Sequence, residues 1–142
     1  MTLRLTKQFS FEMAHALLGY DGKCRNIHGH SYKLHITVEG TPICDDSSQK
    51  KGMVMDFSDI KRCVEEHIVN LFDHALVLPE NNAVDTSALS PIAKLIVVPF
   101  QPTTENLLLH FATLLQPHLP EQVKLFSLRL YETENSYAEL FL

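Results

Sequence analysis

The chain has 142 residues, 45% hydrophobic and 20% charged, with a net charge of −5 at pH 7. That length and composition fit one soluble domain spanning 1–142 with a modest core. They exclude a membrane-spanning helix, because no window approaches eighteen consecutive apolar residues, and the negative charge argues against non-specific nucleic-acid binding. The start of the chain has no signal-peptide pattern, and three cysteines without framework spacing fit a reducing compartment. A cytoplasmic protein with no membrane partner is therefore expected.

Residues 1–17 read as a long strand in which Leu3, Leu5, Phe9, Phe11, Met13 and His15 share one parity. Gly19, Asp21 and Gly22 mark a turn region. The stretch Cys24-Arg25-Asn26-Ile27-His28-Gly29-His30 then leads into a second strand over 30–40, the antiparallel partner of the first. Successive side chains of a strand point to opposite faces, so His28 and His30 point the same way. Tyr32, Leu34, Ile36 and Val38 continue that parity and are apolar, whereas Ser31, Lys33, His35, Thr37 and Glu39 are polar. The strand is half-buried, and its inner face begins with two imidazoles. Left unpaired there, buried polar groups cost about 1–3 kcal/mol each, and a divalent metal would satisfy them.

His15 joins the same face from the first strand. Three neutral imidazoles with a fourth position open to water or substrate are the donor set of a catalytic zinc. Cys24 could close that position as a fourth ligand or stand beside the metal as a free thiol. The absence of C-x-x-C spacing favours the free thiol. Lys23 and Arg25 flank it, either as a basic cluster for an anionic ligand or as solvated loop cations.

Residues 41–51 form an exposed polar loop, in which Cys44 is incidental, and 53–55 a short strand. Asp56 or Ser58 caps a helix running to about 70 or 71, with Ile60, Val64, Ile68 and Leu71 at helical spacing and Cys63 as packing. Asp73-His74 follows directly, a pair in which the carboxylate can orient the imidazole. Residues 79–94 are turn-rich and read as an extended excursion, and 95–98 as a short strand. Thr103 caps a second helix that buries Leu107, Leu108, Phe111, Leu114 and Leu115 before Pro117 and Pro120 close it. In the strand over 123–132, Phe126, Leu128, Leu130 and Glu132 share a face, which ends an apolar row in a carboxylate. Burying that carboxylate requires a cationic or N–H-rich partner. Residues 136–142 are the last strand. His35, His67, His110 and His118 read as ordinary core or surface side chains.

The expected fold is α+β, a four-stranded antiparallel sheet with two helices on one face. The other face and the sheet edges would need cover, which points to oligomerisation.

Five segments in order carry a resemblance: FSFEMAH at 9–15, C-x-x-x-H-G-H at 24–30, Asp73-His74, PTTEN at 102–106 and YET at 131–133. Together they resemble the 6-pyruvoyl-tetrahydropterin synthase family over nearly the whole chain. The three residues between Cys24 and the H-G-H run are similar to the family's queuosine-pathway branch, which forms 6-carboxytetrahydropterin. The resemblance implies a tunnelling fold assembled into a barrel across subunits. It implies zinc on His15, His28 and His30, acid–base chemistry by Cys24, Asp73 and His74, and a pterin anchor at Glu132. The implied substrate is dihydroneopterin triphosphate, converted to carboxytetrahydropterin with release of acetaldehyde and triphosphate. The implied assembly is a homohexamer of two trimers in which a neighbour supplies Asp73-His74. Relatives often carry Arg after the first zinc histidine, where this chain has Ala16, so Lys23, Arg25 or a neighbouring subunit would have to meet the phosphates. The competing expectations are the pyruvoyl-forming reaction and a non-catalytic zinc- or pterin-binding module of the same fold.

Overall fold

Two long antiparallel strands, β1 (Leu3–His15) and β2 (His28–Gly40), form the centre of the sheet in the computed structural model, which describes residues 1–81 and 83–142. They pair in continuous register from Leu3↔Gly40 to His15↔His28. The alternation of the sequence therefore sets Phe9, Phe11 and Met13 beside Leu34, Tyr32 and His30 on one face. Tyr32 and Leu34 are fully buried there, and Phe11 stacks on Tyr32 with ring centroids 5.5 Å apart. The opposite face is polar: Arg4 pairs with Glu39 at 2.8 Å, Thr6 with Thr37 at 2.8 Å, and Ser31 with Glu12 at 2.7 Å. A slip of one residue would invert both faces, so burial of one of them pins the register.

Among the described residues the sheet has six strands, in the order β4-β3-β1-β2-β5-β6. The expected four antiparallel strands are thus extended by β3 (Ala75–Pro79), parallel to β1, and β4 (Lys94–Val98), parallel to β3. Ala75 to Leu78 are all buried, so β3 has no alternation to read; a strand covered on both faces shows a plain apolar run. β5 (Val123–Thr133) and β6 (Ser136–Phe141) complete the antiparallel side. The short strand expected at 53–55 is a loop, held by Ile43 N to Met53 O at 2.9 Å and Gly52 N to Ile43 O at 2.8 Å. Val54 still reaches the core, which explains the apolar signal.

Helix α1 (Phe57–Val64) begins at Asp56, whose side chain accepts from Ser58 N. It passes through a π-helical turn (Glu65–Val69) into α2 (Asn70–Phe72). Ile60, Val64, Ile68 and Phe72 are buried, and the expected Leu71 is 46% exposed. Four-residue steps overshoot an α-helical turn by about 40° each, and the wider π turn absorbs that drift. Helix α3 (Thr104–Leu115) begins at Thr103, which accepts from Asn106 N, and buries Leu107, Leu108, Phe111, Ala112 and Leu115. Both helical segments pack on the face that carries Phe11, Tyr32, Leu34 and Leu130, in one core. On the other face, Leu89 and Ala93 pack with Leu95 against Ala16, Leu76 and Leu78. The excursion expected over 79–94 thus begins in β3 and continues as a cover over the sheet; residue 82 within it lies outside the described residues.

In β5 the register with β2 skips from Thr37↔Ser127 to Val38↔Leu125. Phe126 is the bulged residue. It leaves the face of Leu128 and Leu130 and lies under Arg4, whose guanidinium is 3.5 Å from the ring centroid. A bulge inverts parity on one side of itself, which corrects the expected row of Phe126 with Leu128.

Candidate metal centre and ligand pocket

The register His15↔His28 places the last residue of β1 opposite the first of β2, with His30 two residues further along the same face. Their ligand atoms lie within 4.8 Å of one another. His15 Nε2 and His28 Nε2 are 3.1 Å apart. Each ring is fixed from its other nitrogen: His15 Nδ1 lies 2.8 Å from Pro102 O, and His28 Nδ1 lies 2.7 Å from Asn26 O. A carbonyl only accepts, so Nδ1 carries the hydrogen in both rings and the Nε2 lone pairs face each other. His30 Nε2 is buried without a hydrogen-bond partner. Three convergent imine nitrogens, two oriented by carbonyls and one orphaned, fit a tetrahedral cation. Zinc–nitrogen bonds of about 2.0–2.1 Å place ligand nitrogens about 3.3–3.4 Å apart. The group is able to hold a metal ion.

Electrostatics agree. Burial lowers the His15 pKa from 6.5, partly opposed by the Pro102 carbonyl, with His28 lowering it further. Burial also lowers the His30 pKa, against the pull of Glu132. Both rings are thus kept neutral, the form that binds metal. Tyr32 lies behind them, its hydroxyl 3.5 Å from His15 Nδ1. Its pKa is driven up by burial, then by Glu132 and by Cys24.

Glu132 reaches this group from β5. Its Oε1 is 3.6 Å from His30 Nε2, and its Oε2 accepts from Thr104 Oγ1 at 2.8 Å. The β5–β6 register passes from Tyr131↔Tyr137 to Thr133↔Ser136, so Glu132 is the extra residue of a second bulge. The N-terminus of α3 therefore steadies both a histidine, through Pro102 O, and the carboxylate, through Thr104. Gln101 ties this segment to the loop after β1, its Nε2 donating to Leu18 O.

Cys24 lies half-buried in a 3-10 turn (Lys23–Arg25), and its carbonyl accepts from Leu17 N at 2.9 Å. The turn is thereby fastened to the chain just beyond His15, and its thiol is within electrostatic reach of Tyr32. Lys23 and Arg25 are exposed on either side. Ala16 is 1% exposed and packs with Leu76 and Leu78, so position 16 serves packing.

Asp73 and His74 are not brought to the histidine group within the chain. Asp73 Oδ1 accepts from Glu12 N at 2.9 Å, and His74 Nδ1 lies 3.0 Å from Asp73 Oδ2. The His74 side chain is 77% exposed. A cavity of about 340 Å³ beside it is lined by Glu12, Ala14, Gly29 and Ser31, which have the outward parity of β1 and β2, and also by Met13 and His30 of the other parity. The pair is tied to the backbone of Glu12, and none of its ties runs to the three histidines among the described residues. Sequence reasoning did not find Tyr32, Thr104 or the carbonyls of Asn26 and Pro102 as partners of the site. Thr104 stands in the PTTEN segment and was within reach; a backbone carbonyl leaves no trace in a sequence.

Fold and centre together define an α+β protein with three histidines able to hold a metal ion and a carboxylate beside them. The chain belongs to the 6-pyruvoyl tetrahydropterin synthase family, whose sequence pattern matches residues 4–141. It is 39% identical over 140 residues to the 6-carboxy-5,6,7,8-tetrahydropterin synthase of Haemophilus influenzae, covering 96% of each chain. It is 31% identical over 142 residues to the protein of that name from Rickettsia typhi, covering 97% of this chain and 99% of that one. It is also 31% identical over 145 residues to the 6-pyruvoyl tetrahydrobiopterin synthase of Pongo abelii, covering 94% and 87%. Among solved structures, an uncharacterized protein from Wolinella succinogenes matches with a TM-score of 0.76 at 21% identity, covering 99% and 98%. The 6-pyruvoyl tetrahydropterin synthase of Plasmodium falciparum matches with 0.73 at 19%, covering 99% of each. These two likenesses are of fold.

Proposed function

We propose that the protein is a zinc-dependent 6-carboxytetrahydropterin synthase, converting 7,8-dihydroneopterin triphosphate to 6-carboxy-5,6,7,8-tetrahydropterin with release of acetaldehyde and triphosphate, a step of queuosine biosynthesis in the cytoplasm. The observation that carries the reading is the convergence of three imidazole nitrogens, of which that of His30 lies 3.6 Å from a carboxylate oriented by Thr104. Full-length similarity to relatives bearing that name supports it.

His15, His28 and His30 would hold the zinc, which would supply Lewis acidity toward side-chain oxygens of the substrate. Glu132 accepts hydrogen bonds from the amino and ring N–H groups of the pterin, with Thr104 holding its second oxygen so that the ring enters one way round. Cys24 carries a proton to or from the side-chain carbons beside the centre. Asp73 keeps the His74 imidazole oriented for the complementary transfer. Because that pair is tied to Glu12 and exposed rather than bonded to its own histidine group, a neighbouring subunit supplies it, in a homohexamer of two trimers whose sheets continue into a barrel. Lys23 and Arg25 meet the triphosphate in place of a cation at position 16. The whole of 1–142 acts as one domain.

Similarity to the Pongo abelii enzyme favours a second reading, the pyruvoyl-forming reaction, in which triphosphate is eliminated and the carbon side chain stays whole. Product identification decides between them. Zinc-loaded protein incubated with dihydroneopterin triphosphate should release acetaldehyde together with triphosphate. Triphosphate without acetaldehyde would assign the pyruvoyl reaction, and an unchanged substrate would leave only binding.

A further inference from the structure

The segment that joins α2 to β3 makes an unusual turn. His74 has φ of +60°, the one non-glycine residue with positive φ among the described residues. That conformation costs an L-residue about 1–2 kcal/mol, so its surroundings must hold it. Two backbone contacts come from β1: His74 N donates to Glu12 O at 2.6 Å, and Glu12 N donates to Asp73 Oδ1 at 2.9 Å. A third contact comes from a side chain. Lys94, the first residue of β4 and the register partner of Ala75, extends its ammonium to Asn70 O at 2.7 Å and Asp73 O at 3.0 Å.

Those carbonyls lie at the C-terminal end of the helical segment, where backbone oxygens lack intrahelical donors and a cation complements the helix dipole. Asp73 O also belongs to the peptide unit that joins Asp73 to His74. That unit is gripped at both ends, its carbonyl by Lys94 Nζ and its N–H by Glu12 O. Released from the cation, the peptide could rotate toward a more ordinary φ at His74, and the imidazole would swing with it.

We propose that Lys94 is a positioning residue: it clamps the Asp73–His74 peptide and so sets the direction in which His74 presents its imidazole to the pocket it serves. The inference rests on the reading of Asp73–His74 as catalytic. Lys94 itself touches no reacting atom; it acts through backbone it holds.

The test compares zinc-loaded full-length protein with the variants Lys94→Met, Lys94→Arg and His74→Ala. Lys94→Met keeps the aliphatic stem and removes the cation. Its kcat should fall about tenfold with KM within about twofold, since misdirecting a catalytic group costs rate rather than binding. Lys94→Arg should recover most of the loss. Amide hydrogen exchange at His74 should quicken in Lys94→Met, and zinc content should match the wild type. If His74→Ala abolishes turnover while Lys94→Met matches the wild type in kcat and in exchange at His74, the inference is wrong and the catalytic reading stands. If His74→Ala turns over normally, the catalytic reading fails and takes this inference with it. A loss in Lys94→Met that Lys94→Arg does not recover, with raised KM and lowered zinc, would mean general damage and would also overturn the clamp.

Discussion

His30 Nε2 and Glu132 Oε1 are 3.6 Å apart, a separation too long for a good hydrogen bond and close enough for one ligand to touch both groups. The imidazole nitrogen has no partner of its own, and the other carboxylate oxygen is held by Thr104. A metal on the histidine and a pterin edge on the carboxylate, as proposed, would satisfy both.

Glu132→Gln should therefore weaken pterin binding about 10- to 100-fold, the worth of one charge-assisted hydrogen bond, because an amide offers a single acceptor oxygen. Titration of a pterin product analogue measures this directly. Affinity equal to the wild type would remove Glu132 as the anchor.

The centre should take up one zinc per chain. X-ray absorption should then show imidazole nitrogens at about 2.0–2.1 Å. His28→Ala, which deletes one of two facing Nε2 atoms, should lose most of the metal on dialysis against a weak chelator. Full retention would mean that the ligands are other residues.

Cys24 is fastened beside the centre by its own carbonyl, not by its sulfur. Cys24→Ala should lower turnover by about 10²–10⁴-fold, the range for a positioned proton carrier, with zinc content close to the wild type. A parallel loss of zinc would instead make Cys24 a ligand.

Acidity should destabilise the metal-free protein. His15, His30, His35 and His110 all have pKa values below the ordinary 6.5, each chiefly through burial. Between 6.5 and the lowered folded values the unfolded chain binds more protons than the folded one, so stability rises with pH there and is lost as pH falls. Urea midpoints of the metal-free protein should drop from about pH 8 to about pH 5, above the carboxylate range. A flat profile would show that burial does not hold these rings neutral.

The proposed assembly has a genetic style of check. Cys24→Ala and His74→Ala subunits, each inactive alone, should regain activity when mixed, because some boundaries then pair an intact Cys24 with an intact His74. With subunit exchange verified by mass, a mixture that stays inactive would place the whole pocket within one chain.

The alternation of β1 and β2 was enough to put His15, His28 and His30 on one face, since a strand has only two faces and one of them had to be buried. The caps Asp56 and Thr103 were equally legible, because each is a short polar side chain acting within two or three residues of itself. Strand β4 was legible as the short strand at 95–98, whereas β3, buried on both faces, shows no period and was passed over entirely. Leu71 gave way to Phe72 because a π turn has no sequence period of its own. Phe126 left its row, and Glu132 was aimed at His30, through bulges that depend on how one strand lies against the next. Tertiary structure alone set Pro102 O against His15, 87 residues away in the chain, and tied Asp73 and His74 to the backbone of Glu12. Each of those relations has on one side a backbone group common to every residue, so side-chain identity could not announce the partner; only the path of the folded chain brings the two together.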